Sequence, residues 1–367
     1  MQYSISLCYW ELHVTWWLYG KLFMQCKKLI VMIKKFESYS LLLHNTFGIE
    51  AKAKTFVEFS SEDELCSFIG SGLETPSLVI GGGSNLLFVN DFDGIVLHSV
   101  INGMDIVAED ENDILLRVGS GVNWDELVAY TVANGWYGLE NLSLIPGEVG
   151  ASAVQNVGAY GVEAGDLIEK VEAISLSDAS KRCFTHDECR FAYRYSIFKA
   201  EEKGRNVITY VTYRLKKNAA FKLGYGNLSE RVEQLGGATL ENVRRAVCEI
   251  REAKLPNPAE IGSAGSFFMN PVVAAPVAAS LKEAYPDMPQ YPLADGNVKL
   301  SAGWMIDQCG WKNTPHEHVG VYRYQALVVV NRGGAKGEDV IAFASAVVES
   351  VKEKFGVTLN MEVNVIG

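Results

Sequence analysis

The chain alternates between short apolar runs of strand length and longer segments in which apolar residues recur with helical spacing. The segment 77–89 (SLVIGGGSNLLFV) has an apolar run on each side of a glycine turn, which predicts two strands. Short strands are also predicted in GIVLHSV, DILLRVGSG and VITYVTYRLKK. NWDELVAYTVANG predicts a helix that Asn123 can cap, since Glu126 follows three residues later.

The C-terminal third repeats this mixture of helices and strands. LENVRRAVCEIREAKLPNP predicts a helix that ends before Pro256. The segment 338–356 predicts an amphipathic helix that stops at Gly356, and VTLNMEVNVIG predicts a final strand. The sequence has neither repeats nor low-complexity linkers. We therefore expect an α+β fold with a domain boundary near Lys254–Pro258.

The first thirty residues differ from the rest because they are rich in Trp, Tyr and Leu. Glu11, His13 and Lys21 interrupt the apolar runs, so none approaches the roughly 18–20 residues of a membrane-spanning helix. The basic start and unbroken apolar core of a secretory signal are missing as well. We predict that residues 1–40 are an extension outside the fold, and hypothesise that Met24 or Met32 is the native start.

Composition indicates a globular enzyme rather than a nucleic-acid-binding protein. The 367 residues suffice for two or three domains, 48% of them are apolar, and the net charge is −11. No two cysteines show C-x-x-C spacing, and His316 and His318 lack a nearby third ligand, so we expect neither a disulfide framework nor a metal site. A reducing cytoplasm fits this cysteine usage. The cysteines are Cys8, Cys26, Cys66, Cys183, Cys189, Cys248 and Cys309.

Two glycine-rich stretches carry the first chemical signal. In GGGSN (81–85), three glycines allow backbone N–H groups to point into one concavity, which suits phosphate oxygens. The stretch lacks the spacing of a dinucleotide fingerprint and the lysine of a P-loop, and a tight turn between strands explains it equally well. IPGEVGASAVQNVGAYG (145–161) has one charged residue and four glycines. Such a surface suits a large flat ligand, for example a flavin hydrogen-bonded to backbone amides, Gln155 or Asn156.

Eight motifs follow one another between residues 45 and 367: NTFGI, GGGSNLLF, NLSLIPGEVGASAVQNVGAYG, CRFAYRYSIFK, KLPNP followed by AGSFFMNP, KLSAGWMIDQCGWK, QALVVVN and MEVNVIG. Their order and spacing resemble those of the UDP-N-acetylenolpyruvoylglucosamine reductases, in the subtype with a tyrosine loop before the C-terminal domain. The resemblance covers residues 45–367.

The resemblance implies a two-part FAD-binding domain of the vanillyl-alcohol-oxidase (PCMH) type followed by an α+β substrate-binding C-terminal domain. We expect the former at 41–255, with its two subdomains meeting near residue 105. The C-terminal domain would span 256–358, and 359–367 would return to the active site as a strand. It also implies a cytoplasmic, monomeric enzyme of peptidoglycan synthesis. NADPH would reduce non-covalently bound FAD, which would reduce the enolpyruvyl ether of UDP-N-acetylglucosamine to UDP-N-acetylmuramate.

Three catalytic residues follow from the resemblance. Arg194 in AYRYS matches the arginine that holds the substrate carboxylate, which a guanidinium can grip through two hydrogen bonds. Ser266 in AGSFF matches the serine that gives a proton to the carbanion, and the two phenylalanines after it would exclude water. Glu362 matches the glutamate that assists proton delivery. Tyr195 stands where an acidic residue is expected, which leaves open what orients Arg194.

The resemblance also implies two sets of binding residues. The residues that would hold FAD are Gly81, Gly82, Gly83, Ser84, Asn85, Pro146, Gly147, Gly150, Gln155, Asn156, Gly158 and Arg251. The residues that would hold the nucleotide-sugar substrate are Tyr193, Tyr225, Lys254, Asn270 and Gln325, and the loop around Tyr225 is expected to close over it.

Three other functions remain as alternatives. An FAD-dependent oxidase or dehydrogenase of the same fold would act on another alcohol or sugar, but the glycine stretches contain no His or Cys to tether the flavin. A nucleotide-sugar-binding protein without catalysis would be favoured by the loss of Arg194, Ser266 or Glu362, and all three are present. A Rossmann dehydrogenase without flavin is the third alternative, and a colourless purified protein would favour it.

Overall fold

The structure is a computed structural model that describes residues 33–314 and 317–367, without the side chain of Asn313. Met24, Met32 and most of the predicted extension lie outside the described residues. For Lys34–Ser40 the prediction of an extension outside the fold is wrong, because this segment forms strand β1.

Aromatic packing explains why Lys34–Ser40 forms a strand of the sheet. Lys34–Ser40 pairs antiparallel with strand β2 (Lys52–Phe59). The Tyr39 ring stacks on Phe56 with centroids 4.3 Å apart, and Phe36 lies 6.5 Å from the same ring. These contacts give an edge strand an apolar partner that the hydrophobic pattern alone did not reveal.

The N-terminal unit is a four-stranded mixed sheet of strand order β1-β2-β5-β3, with the strands other than β1 parallel to one another. Strand β4 belongs to a different sheet. The remaining strands of this part are β3 (Ser77–Ile80), β4 (Leu86–Phe88) and β5 (Phe92–Ser99). Because β3 and β4 do not pair, the glycine stretch between them is not a hairpin turn.

The second unit is an antiparallel five-stranded sheet of order β11-β10-β12-β7-β6, and β8 and β9 form a small hairpin beside it. Its core includes Trp124, Leu142 and Tyr213, all nearly fully buried. The strands are β6 (Met104–Glu109), β7 (Asp113–Gly119), β8 (Gly158–Ala159), β9 (Val162–Glu163), β10 (Ile168–Ser175), β11 (Lys181–Thr185) and β12 (Asn206–Lys216).

The C-terminal unit contains two three-stranded sheets, of order β13-β18-β17 and β14-β16-β15. Strand β19 leaves this unit and pairs in parallel with β4 of the N-terminal part. The strands are β13 (Gly262–Ser266), β14 (Val272–Ala274), β15 (Gln290–Pro292), β16 (Asn297–Leu300), β17 (Val319–Tyr322), β18 (Gln325–Asn331) and β19 (Asn364–Ile366).

The helices agree with the predicted caps and stops. Asn123 accepts hydrogen bonds from the backbone N–H groups of Asp125 and Glu126, so its predicted role is confirmed. Gly356 ends the last helix at φ +68°. The α-helices are α1 (Glu62–Gly70), α2 (Trp124–Ala133), α3 (Val149–Gln155), α4 (His186–Cys189), α5 (Leu228–Gln234), α6 (Leu240–Lys254), α7 (Ala275–Ala284), α8 (Ala302–Gln308) and α9 (Gly337–Phe355).

The segment Asn45–Ile49 joins the N-terminal and C-terminal units. Phe47 is fully buried in the same core cluster as Phe267 of the C-terminal unit, and their rings lie 6.1 Å apart. The Thr46 hydroxyl donates to the Ser263 carbonyl oxygen at 2.6 Å, and the Asn331 amide donates to the Phe47 carbonyl oxygen at 3.0 Å. These contacts fix strand β13, and therefore Ser266, against the N-terminal part.

Candidate active site

A cavity of about 930 Å³ lies where the three units meet, and both glycine stretches, α3, the end of β13 and the C-terminal segment form its wall. This volume is at the upper end of the range for cofactor and small-molecule sites, roughly 300–1,000 Å³. Three of its wall residues are Arg194, Ser266 and Glu362, which lie far apart in the sequence.

The first glycine stretch is a loop whose backbone geometry requires glycine. Gly83 has φ +65°, and a Cβ atom there would lie 1.9 Å from the His44 carbonyl oxygen. Gly81, Gly82 and Gly83 all line the cavity, and so do Ser84 and Asn85. The loop therefore presents backbone and short polar groups to the cavity, as a phosphate-binding loop does.

The second glycine stretch packs directly against the first. A Cβ atom on Gly82 would lie 3.2 Å from the Gly147 Cα, and the Ser84 hydroxyl donates to the Pro146 carbonyl oxygen at 3.0 Å. Pro146 and Gly150 line the cavity, and Gly147 between them packs against Gly82. At Gly147, φ +120° and close backbone contact demand glycine, and its predicted contact with FAD stays a prediction.

Gln155 and Asn156 have different surroundings. Gln155 lines the cavity, and its buried Oε1 has no hydrogen-bond partner in the described chain, which leaves an acceptor for a bound ligand. Asn156 is outside the cavity wall: its Oδ1 accepts from the Gly165 N–H, and its amide donates to Glu163 and to the Ala192 carbonyl oxygen. Asn156 thus holds the loop in place, and its predicted contact with FAD stays a prediction.

Arg251 places a positive charge in the cavity wall beside the glycine loops. Its Nε donates to the Leu144 carbonyl oxygen at 3.3 Å, and burial holds the pKa of its guanidinium below the usual value. The nearby Asp125 instead pairs with Arg244 at 2.7 Å. A half-buried cation without an ion pair in the described chain suits an anionic ligand such as a diphosphate.

These wall groups fit FAD. The glycine loops offer N–H donors, Arg251 offers a positive charge, and Gln155 offers an unused acceptor for a ring donor. The remaining predicted wall residue, Gly158, also lines the cavity.

Arg194 is oriented by two groups across the cavity wall. Its Nε lies 2.8 Å from Glu362 Oε1, and its Nη2 donates to the Gly158 carbonyl oxygen at 3.1 Å. Tyr195 plays no part in this, because its hydroxyl donates to Glu201 at 2.8 Å. The structure thus answers what orients Arg194: Glu362 and a backbone carbonyl take the place of the expected acidic neighbour.

Ser266 ends β13 where an irregularity in the pairing with β18 and a left-handed Gly265 (φ +67°) turn the chain. Its hydroxyl makes no hydrogen bond to the described chain and lies in the cavity wall. Phe267 and Phe268, which follow, are fully buried and pack on each other. The hydroxyl is therefore free to meet a ligand next to an apolar floor.

The C-terminal segment brings Glu362 to this place. Its N–H donates to the Phe267 carbonyl oxygen at 2.8 Å, and its carbonyl oxygen accepts from the Asn85 amide at 3.3 Å. Strand β19 then pairs with β4, directly after the first glycine loop. One segment thus links the serine of the C-terminal unit to the glycine loop of the N-terminal unit.

The predicted substrate residues divide into two groups. Tyr225, Lys254 and Gln325 line the cavity, and Tyr225 is half exposed in its loop. Tyr193 and Asn270 lie outside the cavity wall, within hydrogen-bonding reach of each other. Burial raises the pKa of the Tyr193 hydroxyl.

Glu148 is a wall residue that the sequence analysis did not single out. A Cβ atom on Gly81 would lie 3.2 Å from its Oε2, and His98 Nε2 lies 3.0 Å from its Oε1. Burial lowers the pKa of His98, but the hydrogen bond and charge of Glu148, with Glu58, outweigh burial and raise it. In its protonated form, His98 balances the negative charge of Glu148 beside the first glycine stretch. The sequence could have indicated Glu148, since it is the single charged residue of its glycine stretch. No sequence feature around His98 indicates a role in the site.

Comparison with known proteins gives the family. A family described as UDP-N-acetylenolpyruvoylglucosamine reductase, C-terminal domain, matches residues 257–366, and one described as FAD binding domain matches residues 53–180. The UDP-N-acetylenolpyruvoylglucosamine reductase of Bacteroides fragilis (strain YCH46) is 53% identical over 331 residues, 90% of this chain and 99% of that protein. The chain belongs to the UDP-N-acetylenolpyruvoylglucosamine reductase family. The resemblance inferred from the eight motifs is confirmed.

Two further relatives agree with this family. The enzyme of the same name from Porphyromonas gingivalis (strain ATCC 33277) is 48% identical over 333 residues, 90% of this chain and 98% of that protein. The crystal structure of the reductase from Thermus caldophilus is 23% identical, covers 92% of this chain and 99% of that one, and has a TM-score of 0.64. The predicted α+β fold with an FAD-binding domain is confirmed, and FAD is the cofactor.

Within 33–314 and 317–367, no helix is long and apolar enough to cross a membrane. In the same ranges, no three His, Cys, Asp or Glu side chains cluster so that they could hold a metal ion. His316, which the sequence analysis paired with His318, lies outside the described residues.

Proposed function

We propose that this chain is a cytoplasmic, NADPH-dependent enzyme that reduces enolpyruvyl-UDP-N-acetylglucosamine to UDP-N-acetylmuramate for peptidoglycan synthesis. The observation that carries the proposal is the meeting of Arg194, Glu362 and Ser266 in one cavity with two FAD-type glycine loops. Non-covalent FAD and a monomeric state are part of the same proposal.

The residues that hold FAD are the two glycine loops, Gln155 and Arg251. The N–H groups of the loop at 81–85 and the guanidinium of Arg251 would hold its diphosphate. The Gln155 side-chain oxygen, which is otherwise unpaired, would accept a hydrogen bond from the flat ring. Bound FAD, once reduced by NADPH, supplies the hydride that is added to the terminal carbon of the vinyl group.

Arg194 holds the substrate carboxylate. Negative charge develops on the carbon next to this carboxylate and spreads into it, so a fixed cation lowers the free energy of the transition state. Glu362 and the Gly158 carbonyl oxygen hold the guanidinium before substrate arrives. Little reorganisation is then needed during the reaction.

Ser266 donates the proton that completes the reduction. One hydride and one proton add across the double bond, and the serine proton goes to the carbon that bears the carboxylate. A hydroxyl is a weak acid, but it can protonate a carbanion, which is a far stronger base. The buried Phe267 and Phe268 limit the access of water to this position. Glu362, anchored next to Ser266 by its bond to the Phe267 carbonyl oxygen, assists the return of a proton to the serine.

The substrate diphosphate lies between the domains. Lys254 at the end of α6, Tyr225 and Gln325 contribute one charge and two neutral donors to this part of the cavity wall. Tyr193 and Asn270, which lie outside the wall and within hydrogen-bonding reach of each other, complete the pocket when substrate binds. The exposed Tyr225 loop closes over the substrate.

The test is product analysis with purified protein. NADPH and enolpyruvyl-UDP-N-acetylglucosamine should be consumed in equal amounts, and mass spectrometry should find a product heavier than the substrate by two hydrogen atoms. Replacing the substrate by UDP-N-acetylglucosamine, which lacks the vinyl group, is the matched control. NADPH consumption that does not depend on the enolpyruvyl group would overturn the proposed function.

A further inference from the structure

Lys199 is a charged residue of the cavity wall to which the proposed reaction gives no part. It ends a 3₁₀ helix of three residues, and the two before it, Ile197 and Phe198, are buried in the core. The buried Ser196 hydroxyl, directly before this helix, donates to the Val154 carbonyl oxygen at 2.8 Å. This packing fixes the backbone, and Lys199 is the charged residue that this turn presents to the cavity, beside Phe198.

The ammonium group of Lys199 lies beside Arg194. Its Nζ donates to the Arg194 carbonyl oxygen at 3.4 Å. Burial lowers the pKa of Lys199, and the charges of Arg194 and Lys203 lower it further against the opposing effect of Glu362. In the described chain Lys199 forms no ion pair with a carboxylate. A half-buried ammonium without a counterion is costly unless a ligand supplies the anion.

The charges around Arg194 show why another cation is needed. Arg194 and Glu362 form an ion pair at 2.8 Å, and each side chain is about four-fifths buried, so together they carry no net charge. The substrate carboxylate adds one negative charge, which this pair leaves unbalanced. Lys199 is the adjacent group with a positive charge to balance it.

We propose that Lys199 binds the carboxylate of the enolpyruvyl group together with Arg194. Because Glu362 neutralises the charge of Arg194, Lys199 supplies the positive charge that balances this carboxylate. The inference rests on the proposed function and adds a residue to its carboxylate site. The carboxylate is preferred over a phosphate because Lys199 lies next to the Arg194–Glu362 pair. The phosphates have other cations in the wall, Arg251 and Lys254.

Two ligands separate the carboxylate from the rest of the substrate. Calorimetry on the oxidised holoenzyme compares enolpyruvyl-UDP-N-acetylglucosamine with UDP-N-acetylglucosamine, which has the same diphosphate and sugar but no carboxylate. Lys199→Met should weaken binding of the first ligand by roughly 10- to 100-fold, as expected for a lost charged hydrogen bond. Binding of the second should change less than about threefold. Lys199→Arg should restore most of the loss because it keeps the charge.

Lys203→Met is the matched control. Lys203 is an exposed lysine at the same cavity, four residues along the chain, so its replacement removes the same charge without the contact to Arg194. A loss as large as that of Lys199→Met would mean a general charge effect and would overturn the inference.

Three further results show whether Lys199 binds the substrate carboxylate, the substrate diphosphate or the cofactor. Equal weakening of both ligands in Lys199→Met would assign Lys199 to the diphosphate, and a fall in FAD content would assign it to the cofactor; either result overturns the inference. Unchanged affinity for both ligands overturns it too. Lys199→Gln repeats the test if the methionine variant does not fold. A wild-type protein whose reduced flavin ignores the enolpyruvyl substrate would instead refute the proposed function itself.

Discussion

Replacing Arg194 by alanine should slow one half-reaction and spare the other. The guanidinium is held by Glu362 at 2.8 Å and by the Gly158 carbonyl oxygen at 3.1 Å. Opposite unit charges 4 Å apart attract by about 4 kcal/mol at an effective dielectric constant of about 20. Partial compensation by water leaves a loss of roughly 2–3 kcal/mol in the transition state, which is about 30- to 150-fold in rate.

The measurement is anaerobic stopped-flow absorption of the FAD band. The rate at which NADPH reduces the flavin of Arg194→Ala should stay within about threefold of the wild-type rate. The rate of reoxidation by the enolpyruvyl substrate should fall by about 30- to 150-fold. The variant should also unfold at a lower temperature. Glu362 loses its partner, at a cost of roughly 1–2 kcal/mol after allowance for the exposed fifth of each side chain.

Arg190→Ala is the matched control. Arg190 has the same left-handed backbone (φ +47° against +55°) and also pairs with a glutamate, Glu201, at 2.9 Å. That pair is about half exposed and outside the cavity, so its loss should leave both half-reactions unchanged. Reoxidation of Arg194→Ala at the wild-type rate, or equal slowing of both half-reactions, would refute the role of Arg194.

Three other changes test separate parts of the account. Ser266→Ala should slow reoxidation by roughly 10²–10⁴-fold with NADPH reduction intact; equal damage to both steps contradicts the proton-donor role. Tyr225→Phe should weaken substrate binding about 3- to 10-fold in calorimetry, and a loss of FAD would contradict this. The raised pKa of His98, due to Glu148 and Glu58 acting against burial, stabilises the fold below about pH 6.5. This contribution is lost as pH rises through the folded-state pKa, so urea unfolding should show a destabilisation by His98→Gln that shrinks, rather than grows, from pH 5.5 to 9.

Local elements could be predicted because their signals lie within a few residues. Asn123 caps its helix, Pro256 follows the end of α6, and Gly356 stops α9, as the sequence indicated. The strand pairings could not be predicted. The final strand is shorter than predicted and spans Asn364–Ile366. It pairs with Leu86–Phe88, far away in the sequence, because strand pairing depends on the packing of whole units.

The candidate site also has features that the sequence predicted and features that it did not. Motif order indicated Arg194, Ser266 and Glu362, and the structure places all three in one cavity wall. The packing partners of a loop residue are not encoded locally, so the sequence did not indicate that Gly147 packs on Gly82 or that Asn156 bonds Gly165.

Lys199 illustrates a second limit of prediction from the sequence. A lysine after two apolar residues is common, and its importance depends on Arg194 and Glu362 being close in space. The proximity of Glu362 to the segment that carries Arg194 and Lys199 is a tertiary property that the linear pattern does not contain.

The most direct test of the central claim is anaerobic absorption spectroscopy of the purified wild-type protein. The account predicts a flavin spectrum that NADPH bleaches and that returns rapidly when enolpyruvyl-UDP-N-acetylglucosamine is added. A flavin that bleaches but is not reoxidised by this substrate would contradict the proposed reaction while leaving the FAD site intact. A colourless protein that does not take up FAD would contradict the reading of both glycine loops.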